Sequence, residues 1–274
     1  MTIPAQVPID EASQADREGV FRVEQVGYAI PGRTLLDDIS LTLYARRVTG
    51  LIGHNGSGKS TLIKILARQI TFARGRIHFR GRPLHDWPIR EFARKLAYLP
   101  QQPPSAPGLT VRELVAFGRY PWHGPLGRLD PGEKARIDDA MVATDVIHLA
   151  DQLVEILSGG ERQRVWLAML IAQDAECLLL DEPISALDVA HQVEVLSLVR
   201  KLAVDRGLAV VVVLHDVNMA ARYCDELVAL RGGRLVSHGT PSAIITPASL
   251  QAIYGVSMGV MPHPETGEPL SFVR

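Results

Sequence analysis

Residues 53–61 read GHNGSGKST and fit the phosphate-binding pattern G-x-x-x-x-G-K-[ST] in full, which constrains the fold more than any other segment. The apolar stretch 48–52 predicts a buried strand before this loop, and residues 62–67 predict a helix after it. Glycines let the backbone wrap closely, so successive N–H groups can point at phosphate oxygens near a helix N-terminus. The pattern therefore predicts a nucleoside triphosphate site, in which Lys59 reaches the β- and γ-phosphates and the Ser60 hydroxyl ligates Mg²⁺.

Composition indicates a globular protein without a strongly basic surface. The 274 residues are 47% hydrophobic and carry a net charge of −1. This length suits one large α/β core, or a core with a smaller lobe. The charge gives no reason to expect nucleic acid as a partner. Cys177 and Cys224 lie in segments expected to be buried, which favours two free structural thiols, although a disulfide stays open.

The chain shows no sequence signal for secretion or for spanning a membrane. Residues 1–19 are polar and acidic and lack the apolar core of a signal peptide, so we expect a flexible tail. No uninterrupted apolar run approaches the ~20 residues that cross a bilayer. We therefore expect a cytosolic chain, and any membrane role would come through a partner.

Strand patterns occur at both ends of the chain. Residues 21–24, 39–43 and 76–80 alternate apolar and polar residues, as half-buried strands do. Residues 177–181, which are apolar up to Asp181, and residues 208–214 are apolar runs, typical of a parallel sheet covered on both faces. Gly232 and Gly233 separate two further strand patterns and predict a two-residue hairpin.

The middle of the chain has helical patterns instead. Thr110 and Glu113 form a capping-box pattern for a helix running toward Phe117, and Asp130-Pro131 predicts the start of another that reaches about Val146. The expected fold is thus an α/β phosphate-loop NTPase core with a mixed sheet, an N-terminal antiparallel β region and an inserted α-helical subdomain at about 88–160. We expect residues 20–274 to form this single domain.

Three further motifs narrow the function. Residues 157–161 read LSGGE, residues 177–182 read CLLLDE, and His215 closes the apolar run 208–214. In order and spacing they resemble the nucleotide-binding subunit of ATP-binding cassette (ABC) transporters, from about Phe21 to the C-terminus. The segments PGRTLL, GRYPWHG and HDVNMAARYCD resemble, more narrowly, the ATPase subunit of bacterial ferric-hydroxamate (ferrichrome-type) siderophore importers.

The resemblance implies ATP and Mg²⁺ as cofactors and assigns roles to residues beyond the loop. Glu182 would orient or deprotonate the attacking water, and His215 would contact the γ-phosphate. The metal would be held by Ser60, Gln101 and Asp181, with Gln102 as an open alternative to Gln101. ATP would also be contacted by Tyr28, stacked on adenine, and by Gly53, His54, Asn55, Gly56, Ser57, Gly58, Lys59, Ser60 and Thr61.

Each of these roles has a structural alternative. Asp181 and Glu182 could be two solvated acids at a strand end, and Tyr28 could pack at the end of its strand. Ile184 departs from the Thr that family members often have, at a position between motifs.

The motif LSGGE has two compatible interpretations. Ser158 and Glu161 form a capping-box pattern, which predicts a helix start. The resemblance adds that this helix start contacts ATP held by a second subunit. The residues implied in that contact are Ser158, Gly159, Gly160, Glu161 and Asp188. ATP would then join two copies of the chain head to tail.

The resemblance also implies a place in a larger assembly. The chain would energise uptake of Fe³⁺-hydroxamate siderophores from the cytoplasmic face of the inner membrane, as a peripheral protein. Its partners would be a second copy, transmembrane permease subunits and, indirectly, a periplasmic substrate-binding protein. Importers of vitamin B12, haem or another metal chelate are alternatives, and a soluble ABC ATPase acting on DNA or ribosomes is a more distant one. Tyr120 and Trp122, in segment 118–124, would either dock a membrane subunit or pack within their own lobe.

Overall fold

The computed structural model describes residues 19–124, 130–185 and 187–274. The strands in chain order are β1 (Phe21–Ile30), β2 (Arg33–Leu43), β3 (Val48–Ile52), β4 (Arg74–Phe79), β5 (Arg82–Pro83), β6 (Leu96–Leu99), β7 (Cys177–Leu180), β8 (Ala209–Val213), β9 (Glu226–Arg231), β10 (Arg234–Gly239), β11 (Met258–Pro262) and β12 (Pro269–Val273). The α-helices are α1 (Lys59–Leu66), α2 (Ile89–Lys95), α3 (Val111–Ala116), α4 (Tyr120–His123), α5 (Pro131–Ala143), α6 (Gly159–Ala172), α7 (Val189–Arg206), α8 (Val217–Tyr223), α9 (Pro241–Ile244) and α10 (Pro247–Tyr254).

The fold divides into two compact units. The first unit joins the chain up to Asp86 with Val199–Arg274, and the second is Trp87–Leu198. Within the described ranges, no helix combines the length and the apolar character needed to cross a bilayer.

The first unit contains the expected antiparallel region, in the order β2-β1-β4-β5. Strand β1 is longer than its sequence pattern predicts, because it runs on to Ile30 through irregular pairing with β2 between Val23 and Ala29. Gln25 has a φ of 51° within this stretch. Such bulges break the period of two, so alternation could reveal only the first residues of the strand.

The same unit holds strands in the order β10-β9-β3-β8, with β9, β3 and β8 parallel. Every residue of β3 and of β8 is buried, which explains the continuous apolar runs. Strands β9 and β10 form the predicted hairpin, in which Gly232 and Gly233 have φ of 56° and 79°. Both cysteines are free and buried, as expected.

The second unit contains parallel strands β6 and β7 and the expected helices. Thr110 and Glu113 form the capping box of α3, and Asp130 caps α5 through the backbone N–H of Glu133. Helix α5 ends at Ala143 rather than at about Val146, because Asp145 adopts a left-handed φ of 55°.

The two aromatic residues of segment 118–124 lie in different environments. Tyr120 is 50% exposed. Trp122 instead packs within its own unit: its Nε1–H donates to the Gln173 carbonyl at 2.8 Å, and the guanidinium groups of Arg94 and Arg119 each lie 5.0 Å from its ring. Of the two alternatives for this segment, Trp122 shows packing within its own unit, whereas Tyr120 has the exposure that a docking residue needs.

Arg119 anchors this packing. Its side chain is 2% exposed, forms an ion pair with Glu133, and donates from Nη1 to the Ala172 carbonyl at 2.7 Å. The hydrogen bond from Arg119 is the main cause that lowers the pKa of Glu133. A depressed carboxyl pKa contributes stability above its unfolded-state value, and this contribution is lost as the pH falls through the folded-state value.

We expect Arg119→Met to lower the free energy of unfolding by at least about 2 kcal/mol, because a largely buried carboxylate and a carbonyl lose their partner. Urea titration followed by circular dichroism would measure the change. The variant should also lose less stability than the wild type on acidification, since Glu133 no longer has a depressed pKa.

The matched control is Arg112→Met, whose ion pair with Asp138 is exposed on both sides, at 44% and 47%. Its expected cost is below about 1 kcal/mol. Equal losses in the two variants would contradict a special role for Arg119.

Candidate nucleotide-binding site

The phosphate loop, residues 53–60, follows β3 and owes its shape to glycine. Gly53, Gly56 and Gly58 have φ of 138°, 76° and 105°, a region that L side chains rarely adopt. A Cβ at Gly53 would lie 2.1 Å from the Leu230 carbonyl oxygen, and one at Gly58 would lie 2.8 Å from the Leu35 carbonyl oxygen. The glycines at these two positions are therefore required by both conformation and space.

Lys59 lies across this loop. The residue is only 4% exposed to solvent. Its Nζ donates to the carbonyl oxygens of Gly53 at 2.8 Å and His54 at 3.0 Å. Helix α1 begins at Lys59, so the N–H groups of its first turn add to the positive potential. A buried ammonium at the N-terminus of a helix is an arrangement that binds phosphate.

The sequence-predicted contacts of the loop differ in exposure. His54, Asn55 and Gly56 are exposed, Ser60 and Thr61 are half-buried, and Ser57 is buried. Ser57 accepts a backbone hydrogen bond from Gly233 at its carbonyl oxygen, at 3.1 Å, so the hairpin turn of β9 and β10 supports the loop. This support was not predicted from the sequence.

His215 lies at the same sheet edge as the phosphate loop. Strands β3 and β8 are parallel with Leu51 opposite Val213, and the Leu214 N–H donates to the Leu51 carbonyl at 3.1 Å. Their carboxyl ends therefore meet at one edge, where ligands bind in such sheets. His215 is exposed there, and Asp216 caps α8 through the N–H groups of Asn218 and Met219, as predicted.

Tyr28 lies on β1, half-buried and opposite Leu36 of β2. A Cβ at Gly58 would be 2.7 Å from Leu36 Cδ2, so the partner strand of Tyr28 packs against the phosphate loop. This position suits a ring that borders a nucleotide. Stacking on adenine stays a prediction.

A second edge brings Gln101 and the acidic pair together within the second unit. Strands β6 and β7 are parallel with Leu99 opposite Leu180, and the Asp181 N–H donates to the Leu99 carbonyl at 2.9 Å. Gln101 Nε2 donates to Glu182 Oε2 at 2.7 Å. Of the two candidate glutamines, Gln101 thus has a direct contact with the proposed base.

The two acids occupy different environments. Asp181 is fully buried, whereas Glu182 is half-buried and has a left-handed φ of 53°. This conformation costs a non-glycine residue about 1–2 kcal/mol. Strand β7 ends at Leu180, so a turn rather than strand alternation separates the carboxylates. Burial, followed by the charge of Asp181, raises the pKa of Tyr98 to about 12, so a protonated phenol neighbours that carboxylate.

The motif LSGGE forms the start of α6. Ser158 Oγ donates to Glu161 Oε2 at 2.6 Å, and the Ser158 N–H donates to the same oxygen at 2.9 Å. The Glu161 N–H donates back to Ser158 Oγ at 3.3 Å, which completes the predicted capping box. These bonds, led by that from the Ser158 hydroxyl, lower the pKa of Glu161. Gly159 is exposed with nothing within 4 Å of a Cβ position, whereas Gly160 is buried against His191.

Asp188 precedes α7 and is exposed. It accepts hydrogen bonds from the backbone and side chain of His191. Gln192 Nε2 donates to the carbonyl oxygens of Ile184 and Leu187, at 3.3 and 3.0 Å, and so holds the segment before Asp188. Sequence reasoning missed both His191 and Gln192, since neither belongs to a motif.

A groove in the second unit was also missed. Its lining includes residues 101–107 together with Val154, Arg162 and Trp166. Pro103, Pro104 and Pro107 stiffen one wall, and this proline pattern after Gln101 was the available sequence signal.

Comparison with known proteins agrees with this geometry. The ABC transporter family matches residues 36–185, more than half of the chain. The iron(3+)-hydroxamate import ATP-binding protein FhuC of Bacillus subtilis (strain 168) is 37% identical over 247 residues, covering 90% of this chain and 92% of that protein. The hemin import ATP-binding protein HmuV of Pseudomonas putida (strain KT2440) is 45% identical over 260 residues, covering 93% and 100%.

A solved structure is similar over nearly the same extent. It is described as a metal-chelate type ABC transporter in an inward-facing conformation, and it matches with a TM-score of 0.81 and 25% identity over 93% of this chain and 97% of that one. The phosphate loop, the LSGGE helix start and the strand-end acids agree with the family match. The chain belongs to the ABC transporter family and is one of its ATPase domains.

Proposed function

We propose that the chain is the ATP-hydrolysing subunit of a bacterial inner-membrane importer that takes up Fe³⁺-hydroxamate siderophores. The observation that carries the ATPase assignment is Lys59, buried across a loop whose glycines have left-handed φ. A loop of this kind places backbone N–H groups and an ammonium at a surface that suits a chain of phosphates. The chain would lie at the cytoplasmic face of the membrane and bind it through permease subunits.

The residues present fit ATP with Mg²⁺. The phosphate loop supplies N–H donors and Lys59 to the phosphates. Ser60, Gln101 and Asp181 would hold Mg²⁺ with hydroxyl, amide and carboxylate oxygens, the hard ligands that this ion prefers. Bound there, Mg²⁺ would neutralise charge on the phosphate oxygens. Tyr28 would border the adenine.

Glu182 is proposed as the group that orients or deprotonates the attacking water. Its carboxylate is held by Gln101, so its position depends on the segment that follows β6. A fixed carboxylate is a better base than a mobile one because the reacting geometry is already formed. His215 would donate a hydrogen bond to the γ-phosphate and steady it during transfer.

Hydrolysis is proposed to require two copies of the chain, arranged head to tail. The start of α6 is exposed at Ser158 and Gly159, and Asp188 is exposed as well. In this arrangement Ser158, Gly159, Gly160, Glu161 and Asp188 would meet the ATP held by the phosphate loop of the second copy. ATP would close the pair and hydrolysis would open it, and the permease would convert this cycle into transport of substrate delivered by a periplasmic binding protein.

The proposed identity of the chelate is supported by the names of similar proteins. FhuC of Bacillus subtilis is named for iron(3+)-hydroxamate import, and the segments 31–36, 118–124 and 215–225 resemble that group. The main alternative is haem, because the relative named for hemin import is 45% identical over its full length. Either chelate would contact the permease and the binding protein rather than this chain.

We expect Glu182→Gln to reduce ATP turnover by about 10²–10⁴-fold, the usual contribution of a general base, while ATP binding is retained. The ATP-bound pair should then persist. Phosphate release, binding of a fluorescent ATP analogue, and size-exclusion chromatography with ATP and Mg²⁺ would measure the three properties.

The control for charge is Glu176→Gln, which neutralises a half-buried carboxylate just before β7 that is paired with Lys95. Its turnover should equal that of the wild type. Near-normal hydrolysis by the Glu182 variant would contradict the assignment of this residue.

We expect Ser158→Arg to stop hydrolysis without changing ATP affinity, because a bulky cation would occupy the surface that meets the second copy's γ-phosphate. Ser158→Ala should lower stability by about 1 kcal/mol through loss of the helix cap. Turnover, nucleotide affinity and melting temperature should be measured together.

Thr110→Ala is the matched control, since Thr110 forms the same kind of capping box at α3. It should lose stability but not turnover. If Ser158→Arg behaves like Thr110→Ala, the motif acts only as a helix start.

We expect deletion of the gene in the source bacterium to abolish uptake of radiolabelled ferrichrome and to leave hemin uptake intact. Wild-type chain should restore uptake, whereas the Glu182→Gln variant should not. Loss of hemin uptake alone would assign the alternative chelate. Unchanged uptake of both would contradict import of either chelate.

A further inference from the structure

His191 connects two segments of the second unit that the sequence motifs treat separately. The imidazole Nδ1 lies 2.8 Å from Asp188 Oδ1, and the His191 backbone N–H donates to the same oxygen at 3.0 Å. These bonds, the backbone one first, lower the pKa of Asp188. An ionised carboxylate can only accept, so Nδ1 carries the proton in this contact. The carboxylate of Asp188 is thus held by two donors from one residue.

The opposite side of the imidazole lies against Gly160. A Cβ at Gly160 would be 2.9 Å from His191 Cδ2, a distance that real Cβ atoms essentially never show, and 3.1 Å from Cγ, which is tighter than most real contacts. Gly160 is buried, whereas the neighbouring Gly159 has open space around its Cβ position. The two glycines of LSGGE therefore differ: only the second makes room for a side chain.

Hydrogen bonds also hold the segment that lies between the acidic pair and Asp188. The Glu182 carbonyl accepts from Ser185 Oγ at 3.2 Å, and Gln192 holds the carbonyl of Leu187 directly before Asp188. Glu182 itself accepts from Gln101. Hydrogen bonds thus hold Glu182 and the residue before Asp188 separately, and the ring contact joins His191 to the start of α6.

We propose that His191 is a positioning residue, which fixes the Asp188 carboxylate against the start of α6 so that both present one surface to the ATP of a second copy. This inference rests on the proposed two-copy site. Without His191, Asp188 and Gly160 would still be present, but their spacing would no longer be set by a shared side chain. A substitution of His191 leaves the phosphate loop itself unchanged, so binding of ATP to the phosphate loop of the same copy should be unaffected.

The test compares substitutions in the full-length chain. His191→Ala should reduce kcat for ATP by about tenfold, the usual effect of losing a hydrogen bond to a charged group, with KM and ATP affinity unchanged. In the Glu182→Gln background it should weaken ATP-dependent pairing, measured by sedimentation velocity, by a similar factor. His191→Asn places an amide N–H near the position of Nδ1 and should recover most of kcat.

Glu194→Ala is the matched control. Glu194 lies one turn further along α7 and forms an ion pair with Arg164 of α6, in which the side chains are 53% and 17% exposed, so this variant also removes a contact between the two helices. Its kcat should equal that of the wild type. A general loosening of the helices would instead lower kcat in both variants.

The ring contact has its own test. Gly160→Ala should lower the melting temperature in the wild-type background, because the new methyl group meets the imidazole. The same substitution combined with His191→Ala should lower it less, since the imidazole is gone. Purely additive effects would show that the ring does not rest on Gly160 and would overturn the inference.

Two other results would overturn it. Unchanged kcat in His191→Ala, while Ser158→Arg still stops hydrolysis, would reject the role of His191 and leave the two-copy site intact. A loss of kcat that His191→Asn does not restore would reject the hydrogen bond to Asp188 as its cause. If Ser158→Arg itself hydrolyses ATP normally, the two-copy site fails, and the inference fails with it.

Discussion

The phosphate loop depends on close contact between backbone segments. The Leu230 carbonyl fills the space beside Gly53, the Leu35 carbonyl fills that beside Gly58, and the turn at Gly233 donates to the loop itself. Because interiors are close-packed, a side chain at either glycine would displace a strand rather than a flexible neighbour. Lys59 adds two hydrogen bonds from inside the loop. The shape of the loop therefore depends on β2, β9 and the turn after β9 as well as on its own short motif.

Parallel strand pairs explain why polar residues far apart in sequence meet. Strands β3 and β8 end together, which puts His215 at the edge of the phosphate loop, and β6 and β7 end together, which joins Gln101 to Glu182. Each pair uses continuous apolar strands to position one exposed chemical group at its carboxyl end. The left-handed backbone at Glu182 shows that this turn is held in a less stable conformation, as is common at functional sites.

Local sequence patterns were enough to predict the strands, the helix caps and the phosphate loop. They could not predict contacts between segments that are distant in sequence. Residues 48–52, Thr110 and Asp130 were predictable because a buried strand and a helix cap each have a local pattern. The packing of Trp122 between two arginines was not, since an aromatic residue in a short helix has no periodicity to read. His191 was missed for a related reason: its role comes from Gly160, more than thirty residues away in sequence. The proposed roles of Gln101 and Tyr28 come from the resemblance to the family, because their patterns alone do not indicate them.

The capping box at Ser158 has a consequence for anion binding. Its hydroxyl and backbone N–H both point to the Glu161 carboxylate, so the helix start already carries an internal anion. A phosphate that binds these donors exchanges with that carboxylate, and the net free energy is the difference between two charge-assisted bonds. Free phosphate gains little from such an exchange. In the proposed two-copy arrangement, a triphosphate fixed by a second copy would lose less entropy on making the contact, so the motif would discriminate between loose anions and a nucleotide presented in place.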